Sequence, residues 1–358
     1  MSHETAAWLS LAIAFVLSAL LTPAARRLGI RGGWFRQPGG RHIHARPIPR
    51  SGGLALALST ALTLVLLLWL PLGRATGEAI RIGLLIVGPL VAFVLTVRDD
   101  IHELSPGVKL AIQAGSALLV IFPYFLSPDL HPPPGLLITQ VQNPLGGTVY
   151  LPIAVAVPFS LLWFVGMMNT INLLDGLDGL ATGVTAIAAL LLAFHMWRLG
   201  QLSLVPLPLA LLGACLGFLP YNFHPARVFM GDSGAVFLGF SLAILSVIGG
   251  AKIATALLVL GVPILDVAWV IIFRLLRGHS PLQADQGHLH HRLLHAGLSQ
   301  VQIVALFYGA SALFGAAQLL PSGLYKLMVL LGMALGGSLL LAWLARKQLD
   351  PQEERGTR

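Results

Sequence analysis

The sequence predicts an all-α integral membrane protein: a bundle of about eleven transmembrane helices, N-terminus outside and C-terminus cytoplasmic. Three observations predict it. Of 358 residues, 56% are hydrophobic and only 10% are charged, and the mean hydropathy of +0.83 lies far outside the range of an ordinary soluble domain. Apolar runs of roughly 17 to 25 residues, the length that crosses a bilayer as a helix, recur along the chain. The basic residues, finally, gather on alternate linkers.

The runs lie at 6–25, 52–71, 80–97, 107–126, 150–168, 178–197, 202–221, 234–250, 252–273, 301–319 and 324–345. The first lacks an Ala-x-Ala cleavage site and runs into Arg26 and Arg27, so it reads as a retained span, not a secretory signal. With the N-terminus outside, only Arg74, Arg81, Arg198, Lys252 and Lys326 of the 22 Lys and Arg residues fall on outer segments. That distribution satisfies the positive-inside rule. The net charge of +8 therefore needs no nucleic acid; an anionic inner leaflet and an anionic substrate account for it. Linkers are short, so residues 1–345 read as one polytopic domain and 346–358 as a polar cytoplasmic tail. The outer 128–149 segment has no Lys or Arg, and its Pro and Gly residues predict a hairpin or irregular loop. Cys215 falls inside a span and reads as a packing residue.

The carboxylates inside or near the apolar runs gather at the cytoplasmic face, in four segments. "VRDDIHELSPGVK" puts Asp99 and Asp100 at the end of a span, where an unpaired charge is costly, with Lys109 able to neutralise an anion; a helix end reaching water beside Arg98 is the plainer alternative. In "NTINLLDGLDGLATG", a helix over 172–180 would put Asn172, Asp175 and Asp178 on one face beside Gly176 and Gly179, a cradle for a polar ligand; a turn is the alternative. "NFHPARVFMGDSG" sets Asp232 at a helix start, either as an N-cap or as a metal ligand beside free N–H groups that attract phosphate. "DQGHLHHRLLHAGLS" clusters His288, His290, His291 and His295 with Arg292, suited to phosphate oxygens. No cysteine and no His-Glu-x-x-His pattern argues for zinc, and a solvated loop is the alternative. Asp266 reads as a structural partner for a basic group, about two helical turns from Arg274. The basic loop with His42, His44, Arg46 and Arg50 reads as an inner-face anchor that could also bind phosphate.

Hard oxygen ligands favour magnesium, with manganese as the alternative, and Lys, Arg and His beside them suit phosphoryl transfer. A transporter of an anionic or phosphorylated solute is the competing class, but it should carry its polar groups near the bilayer midplane. An intramembrane metallopeptidase lacks its motif.

From about 26 to 299 the chain resembles the polyprenyl-phosphate N-acetylhexosamine-1-phosphate transferases, on six motifs in order: "HARPIPRSGG", "DDIHELSPGVK", "NTINLLDGLDGLATG", "VFMGDSG", "PILD" and "DQGHLHHRLLHAGLS". The resemblance implies attack by an undecaprenyl phosphate oxygen on the β-phosphorus of a UDP-sugar, with UMP expelled and magnesium bridging the diphosphate, in a bacterial plasma membrane. It implies Asp99 as base or acceptor-phosphate positioner with Asp100 beside it, and Asp232 with Asp99 at the metal. Asn172, Asp175, Asp178, Lys109, Arg46 and Arg292 then hold substrate, and His288, His290 and His291 lie near the diphosphate. "HLHH" is similar to the GlcNAc-1-phosphate branch, as is the span count; the MurNAc-pentapeptide branch usually has three consecutive histidines and ten spans. Arg36 and Arg98 depart from the family pattern. A homodimer is compatible with the sequence and not required by it.

Overall fold

The computed structural model describes residues 2–36, 47–72, 75–102, 104–127, 129–130, 133–143, 146–248, 253–276, 288–320 and 323–356. The helices are α1 (His3–Arg31), α2 (Gly53–Trp69), α3 (Thr76–Ile101), α4 (Pro106–Ile121), α5 (Pro123–Leu126), α6 (Ile153–Leu174), α7 (Leu180–Arg198), α8 (Pro206–Asn222), α9 (Gly231–Ile248), α10 (Ile253–Val259), α11 (Gly261–Leu276), α12 (Leu289–His295), α13 (Gln300–Ala316) and α14 (Gly323–Gly356). Two short antiparallel ribbons interrupt them: β1 (Phe35–Arg36) with β2 (Ile48–Pro49), and β3 (Gln140–Gln142) with β4 (Thr148–Tyr150). The second lies at the end of the 128–149 segment, for which the sequence left a hairpin and an irregular loop open.

Each of the eleven apolar runs falls on helix, and among the described residues seven helices are long and apolar enough to cross a membrane. Four more, α2, α8, α11 and α14, are apolar over shorter lengths. Helix α9 is the centre of the bundle. It is hydrophobic all round and 94% of its apolar window is buried, the mark of a helix with neighbours on every side. Helices α3, α6, α7 and α2 pack around it, α1 runs along α8, and α14 lies at the edge against α10 and α11. Many large apolar side chains on the outer helices stay exposed, among them Trp69, Leu162 and Leu313, as they must where the solvent is lipid.

Small residues let the helices approach. Gly217 of α8 faces Phe15 and Ser18 of α1, and Ser18 donates its hydroxyl to the Ala214 carbonyl across that interface at 2.7 Å. Such small-residue seams and interhelical hydrogen bonds hold membrane helices together where burial against lipid gains little. A Cβ at Gly217 would meet the Phe15 carbonyl and lie 2.9 Å from Ser18 Cβ. Gly217→Val is therefore expected to destabilise the bundle by about 1–3 kcal/mol, read as a lower Tm of the detergent-purified protein. An unchanged Tm would place the α1–α8 seam elsewhere.

Candidate active site

The ends of α1, α3, α6 and α8 and the starts of α2, α4, α7 and α9 meet at one end of the bundle, and Asp99, Asp100 and Asp178 lie buried there. Backbone pairing sets its first edge. The β1–β2 ribbon returns the chain beside the end of α1, and Arg50 N–H donates to the Trp34 carbonyl at 2.9 Å. Segment 49–53 then lies along segment 229–230, through Phe229 N–H to Pro49 O (2.9 Å), Gly52 N–H to Phe229 O (2.8 Å) and Gly53 N–H to Met230 O (2.9 Å). This pairing puts Arg50 next to Asp232. Between them Gly231 has a φ of 75°, and a Cβ there would sit 2.5 Å from Asp100 Oδ1 and 2.7 Å from the Arg50 carbonyl. Only glycine fits.

Asp100 lies at the end of α3, 6% exposed. Its Oδ1 accepts from Asp232 N–H at 2.7 Å, and its Oδ2 accepts from Ser233 N–H at 3.2 Å and from the Ser233 hydroxyl. It thus caps the first turn of α9 from a different helix. Two expectations change. Asp232 lies within the first turn of α9 and is not its cap, and the N–H groups of Asp232 and Ser233 are occupied by Asp100. The sequence shows neither, because the capping group is 132 residues away.

Asp232 is held on both oxygens, Oδ1 by Arg50 Nη2 at 2.6 Å and Oδ2 by Lys109 Nζ at 3.0 Å. Lys109 also pairs with Asp99, whose other oxygen accepts from Leu104 N–H at 2.7 Å, and the Asp99 and Asp232 carboxylates abut. Asp99 is 3% exposed, so neither carboxylate of the pair ends in water beside Arg98. Burial works against the charge of Arg50, but Asp232, Asp100, Asp175 and Asp99 together outweigh it and hold the guanidinium's pKa above its ordinary value. Asp232, Asp100, Asp175 and Asp99 thus act on Arg50, and Asp232 and Asp99 act on Lys109 as well, a gathering of carboxylates beside which a divalent cation would be favoured. No set of three His, Cys, Asp or Glu side chains among the described residues forms a closed cage. Asp99 and Asp232 nevertheless fit magnesium, which is bound by one or two carboxylates and completes its shell with water and phosphate.

The 175–179 stretch is not helical. Helix α6 ends at Leu174, Asp175 is its C-cap, and Gly179, with a φ of 79°, opens α7. Asn172, Asp175 and Asp178 therefore do not share a helix face. They part company. Asn172 is half-buried, and its side-chain amide makes no hydrogen bond among the described residues. Asp175 faces the Arg50 cluster electrostatically. Asp178, 1% exposed, lies 2.9 Å from His224 Nδ1 and accepts from Ala226 N–H at 3.0 Å, so it ties the turn to the strand-like approach to α9. Asn222, bonded to Thr182 at 2.7 Å and to the Val228 carbonyl at 3.1 Å, braces the same segment.

The histidine segment is a short helix, α12, and not a loop. His288 and His290 are buried, as is Arg292; His291 is half-buried. The rings run in sequence, His288 to His290 at 5.9 Å and nearly parallel, His290 to His291 at 4.3 Å, and His290 lies against Gly176. Burial, then His291 and His288, push the His290 pKa well below 6.5, so this ring is neutral at neutral pH. Asp266 has a structural partner as expected, but the partner shown is His288. Arg46, with His42 and His44, lies outside the described residues. Arg50 is the residue the sequence undervalued; its "PRSGG" context was visible, its contact with Asp232 was not.

The chain matches "Glycosyl transferase family 4" over residues 82–250. It is 35% identical to the "Probable undecaprenyl-phosphate N-acetylglucosaminyl 1-phosphate transferase" of Bacillus subtilis over 83% of this chain and 80% of that one. The chain belongs to glycosyl transferase family 4. Other members it resembles are the "Decaprenyl-phosphate N-acetylglucosaminephosphotransferase" of Mycolicibacterium smegmatis, 32% identical over 82% of this chain and 77% of that one, and the "Phospho-N-acetylmuramoyl-pentapeptide-transferase" of Staphylococcus aureus (strain MSSA476), 30% identical over 86% and 96%. The six motifs resembled this family, and the protein is a multi-pass membrane transferase.

Two predictions follow from the geometry. Removing the Ser233 hydroxyl from a buried carboxylate is expected to cost about 1.5–3 kcal/mol, so Ser233→Ala should lower the Tm, and Asp100→Asn, which loses an acceptor for α9, should lower it further. Acid should also destabilise the protein. His290 in the folded chain binds its proton more weakly than in the unfolded chain, so its contribution is complete above about pH 6.5 and is lost as pH falls below that value. His290→Gln should flatten the decline in Tm between pH 7 and pH 5.

Proposed function

We propose that this protein transfers GlcNAc-1-phosphate from UDP-GlcNAc to undecaprenyl phosphate, releasing UMP, at the cytoplasmic face of a bacterial plasma membrane. The observation that carries this reading is the cluster of buried Asp99 with half-buried Asp232, Lys109 and Arg50 at the end of an apolar bundle, where a water-soluble diphosphate and a lipid phosphate can both arrive. The transfer to a polyprenyl phosphate has the support of the relatives' names. The donor sugar is supported by the higher identity to the N-acetylglucosamine enzymes and by the "HLHH" spacing; the S. aureus relative makes UDP-MurNAc-pentapeptide the second reading. In this reading all eleven apolar helical segments span the membrane, residues 1–345 are one domain with the N-terminus outside, and the 346–358 tail is cytoplasmic.

An oxygen of the lipid phosphate attacks the β-phosphorus of the donor, the bond from that phosphorus to the bridging oxygen breaks, and UMP leaves with the bridging oxygen. An alkyl phosphate is already ionised at cytosolic pH, so Asp99 has only to place it. Lys109, which touches both Asp99 and Asp232, and Arg50 lie where charge builds on the transferring phosphoryl oxygens. Magnesium, or manganese, held by Asp232 and Asp99 would supply further neutralisation of the diphosphate. Asp100 keeps Asp232 in place through α9. His290 and His291 offer ring N–H groups to the diphosphate, His288 does so through Nε2 from its charged ring, and Arg292 stands behind them. Asn172 and Asp175 lie at the nucleotide end, and Asp178 fixes their turn.

Detergent-purified protein should release UMP from UDP-GlcNAc only with undecaprenyl phosphate and magnesium, and EDTA should abolish release. Release from UDP-MurNAc-pentapeptide alone would reverse the choice of donor, and release from neither would return the transporter reading. Arg50→Ala, Lys109→Ala and Asp232→Asn should each lower kcat by roughly 10²–10³-fold; turnover retained in Asp232→Asn would remove the metal assignment.

A further inference from the structure

Asp266 is a buried carboxylate, 6% exposed on α11, that the mechanism above leaves unused. Its two oxygens do different things. Oδ1 accepts from the Leu289 N–H at 2.7 Å, and Oδ2 lies 3.1 Å from His288 Nδ1. Leu289 is the first residue of α12, and His288, the N-cap, makes no side-chain cap bond of its own. One carboxylate therefore secures both the start of α12 and the plane of an imidazole 22 residues along the chain. A carboxylate offers acceptors only, so Nδ1 of His288 is the donor in this contact. When the ring is neutral, Nε2 then keeps its lone pair; when the ring is charged, Nε2 donates. His288 is stacked on His290, and His290 lies against Gly176 in the turn that carries Asp175.

We propose that Asp266 is a positioning residue: by accepting the Nδ1 proton of His288 it fixes the plane and tautomer of that ring, so that Nε2 is the atom turned to the donor's diphosphate and donates to it from the charged ring. The presentation to a diphosphate rests on the transferase reading; the tautomer does not. The alternative is a plain helix cap, and the chemistry separates the two. In Asp266→Asn the amide oxygen can still accept from Leu289 N–H, so the cap survives. Its NH₂ would then face His288 Nδ1, force the ring proton onto Nε2 and oppose a second proton on Nδ1, so that the charged donor is lost. A hydrogen-bonding partner of this kind, which orients a functional imidazole through its other nitrogen, commonly contributes 10- to 100-fold.

The test uses the full chain in nanodiscs with ¹⁵N-histidine, the His288 signals being identified by their loss in His288→Gln. Wild type should carry the neutral-ring proton of His288 on Nδ1, Asp266→Asn should carry it on Nε2, and Asp266→Glu should restore Nδ1. With UDP-GlcNAc and undecaprenyl phosphate, Asp266→Asn should lose on the order of 10²-fold in kcat with KM for the nucleotide sugar changed by less than about threefold. Adding it to His288→Gln should cost little more. A wild-type His288 protonated on Nε2 overturns the proposal even if Asp266→Asn does not fold. An unaltered tautomer in folded Asp266→Asn overturns it as well. A wild type that shows the Nδ1 proton but releases no UMP supports the Asp266–His288 arrangement and overturns the transferase reading instead.

Discussion

The charged end of the bundle depends on one contact, the Asp100 carboxylate on the first turn of α9. Helix starts carry unsatisfied N–H groups, and a buried start with no partner is costly. Here the partner comes from α3, so satisfying α9 also joins it to its most extensive packing partner at the level of the site. Once α9 begins there, Asp232 stands within reach of Arg50 and Lys109, and Lys109 draws in Asp99. Gly231 is required because the chain turns beneath both Asp100 and the Arg50 carbonyl.

A second layer of contacts keeps that centre in place. The pairing of 49–53 with 229–230 sets Arg50, while Asp178 and Asn222 brace the chain between α8 and α9. Several side chains that look like ligands are therefore supports. Asp100 spends both oxygens and Asp178 its Oδ2 on backbone and side-chain contacts, and Asp266 spends both of its oxygens at α12. Low dielectric explains the economy of the arrangement: a buried carboxylate must be paired or hydrogen-bonded wherever it sits, so functional and supporting carboxylates look alike in sequence.

The residues left for chemistry are those with a cation or an open face beside them. Asp99 and Asp232 share Lys109, Asp175 is felt by Arg50, and the rings of His288, His290 and His291 follow one another with His290 against Gly176 of the 175–179 turn. This division would let the site hold substrate charge without rebuilding the helix ends that frame it.

The sequence by itself determined the helical class, the positions of the apolar segments and the break in helix over 128–149, because hydropathy and turn residues act locally. It also marked Asp99, Lys109, Asp232 and the histidine run, since charged groups between apolar runs need partners. Only the tertiary structure decided what each one touches. Of the 172–180 stretch, for which the sequence left a helix and a turn open, 175–179 is a turn, and Gly179 takes a left-handed conformation that opens a new helix. Asp232 is not the cap of α9, Asp266 is held by His288, and Arg50 joins the carboxylates, because these contacts cross 132, 22 and 182 residues. No local pattern encodes a partner at that distance; it is fixed when packed helices bring their ends together and buried charge has to be balanced.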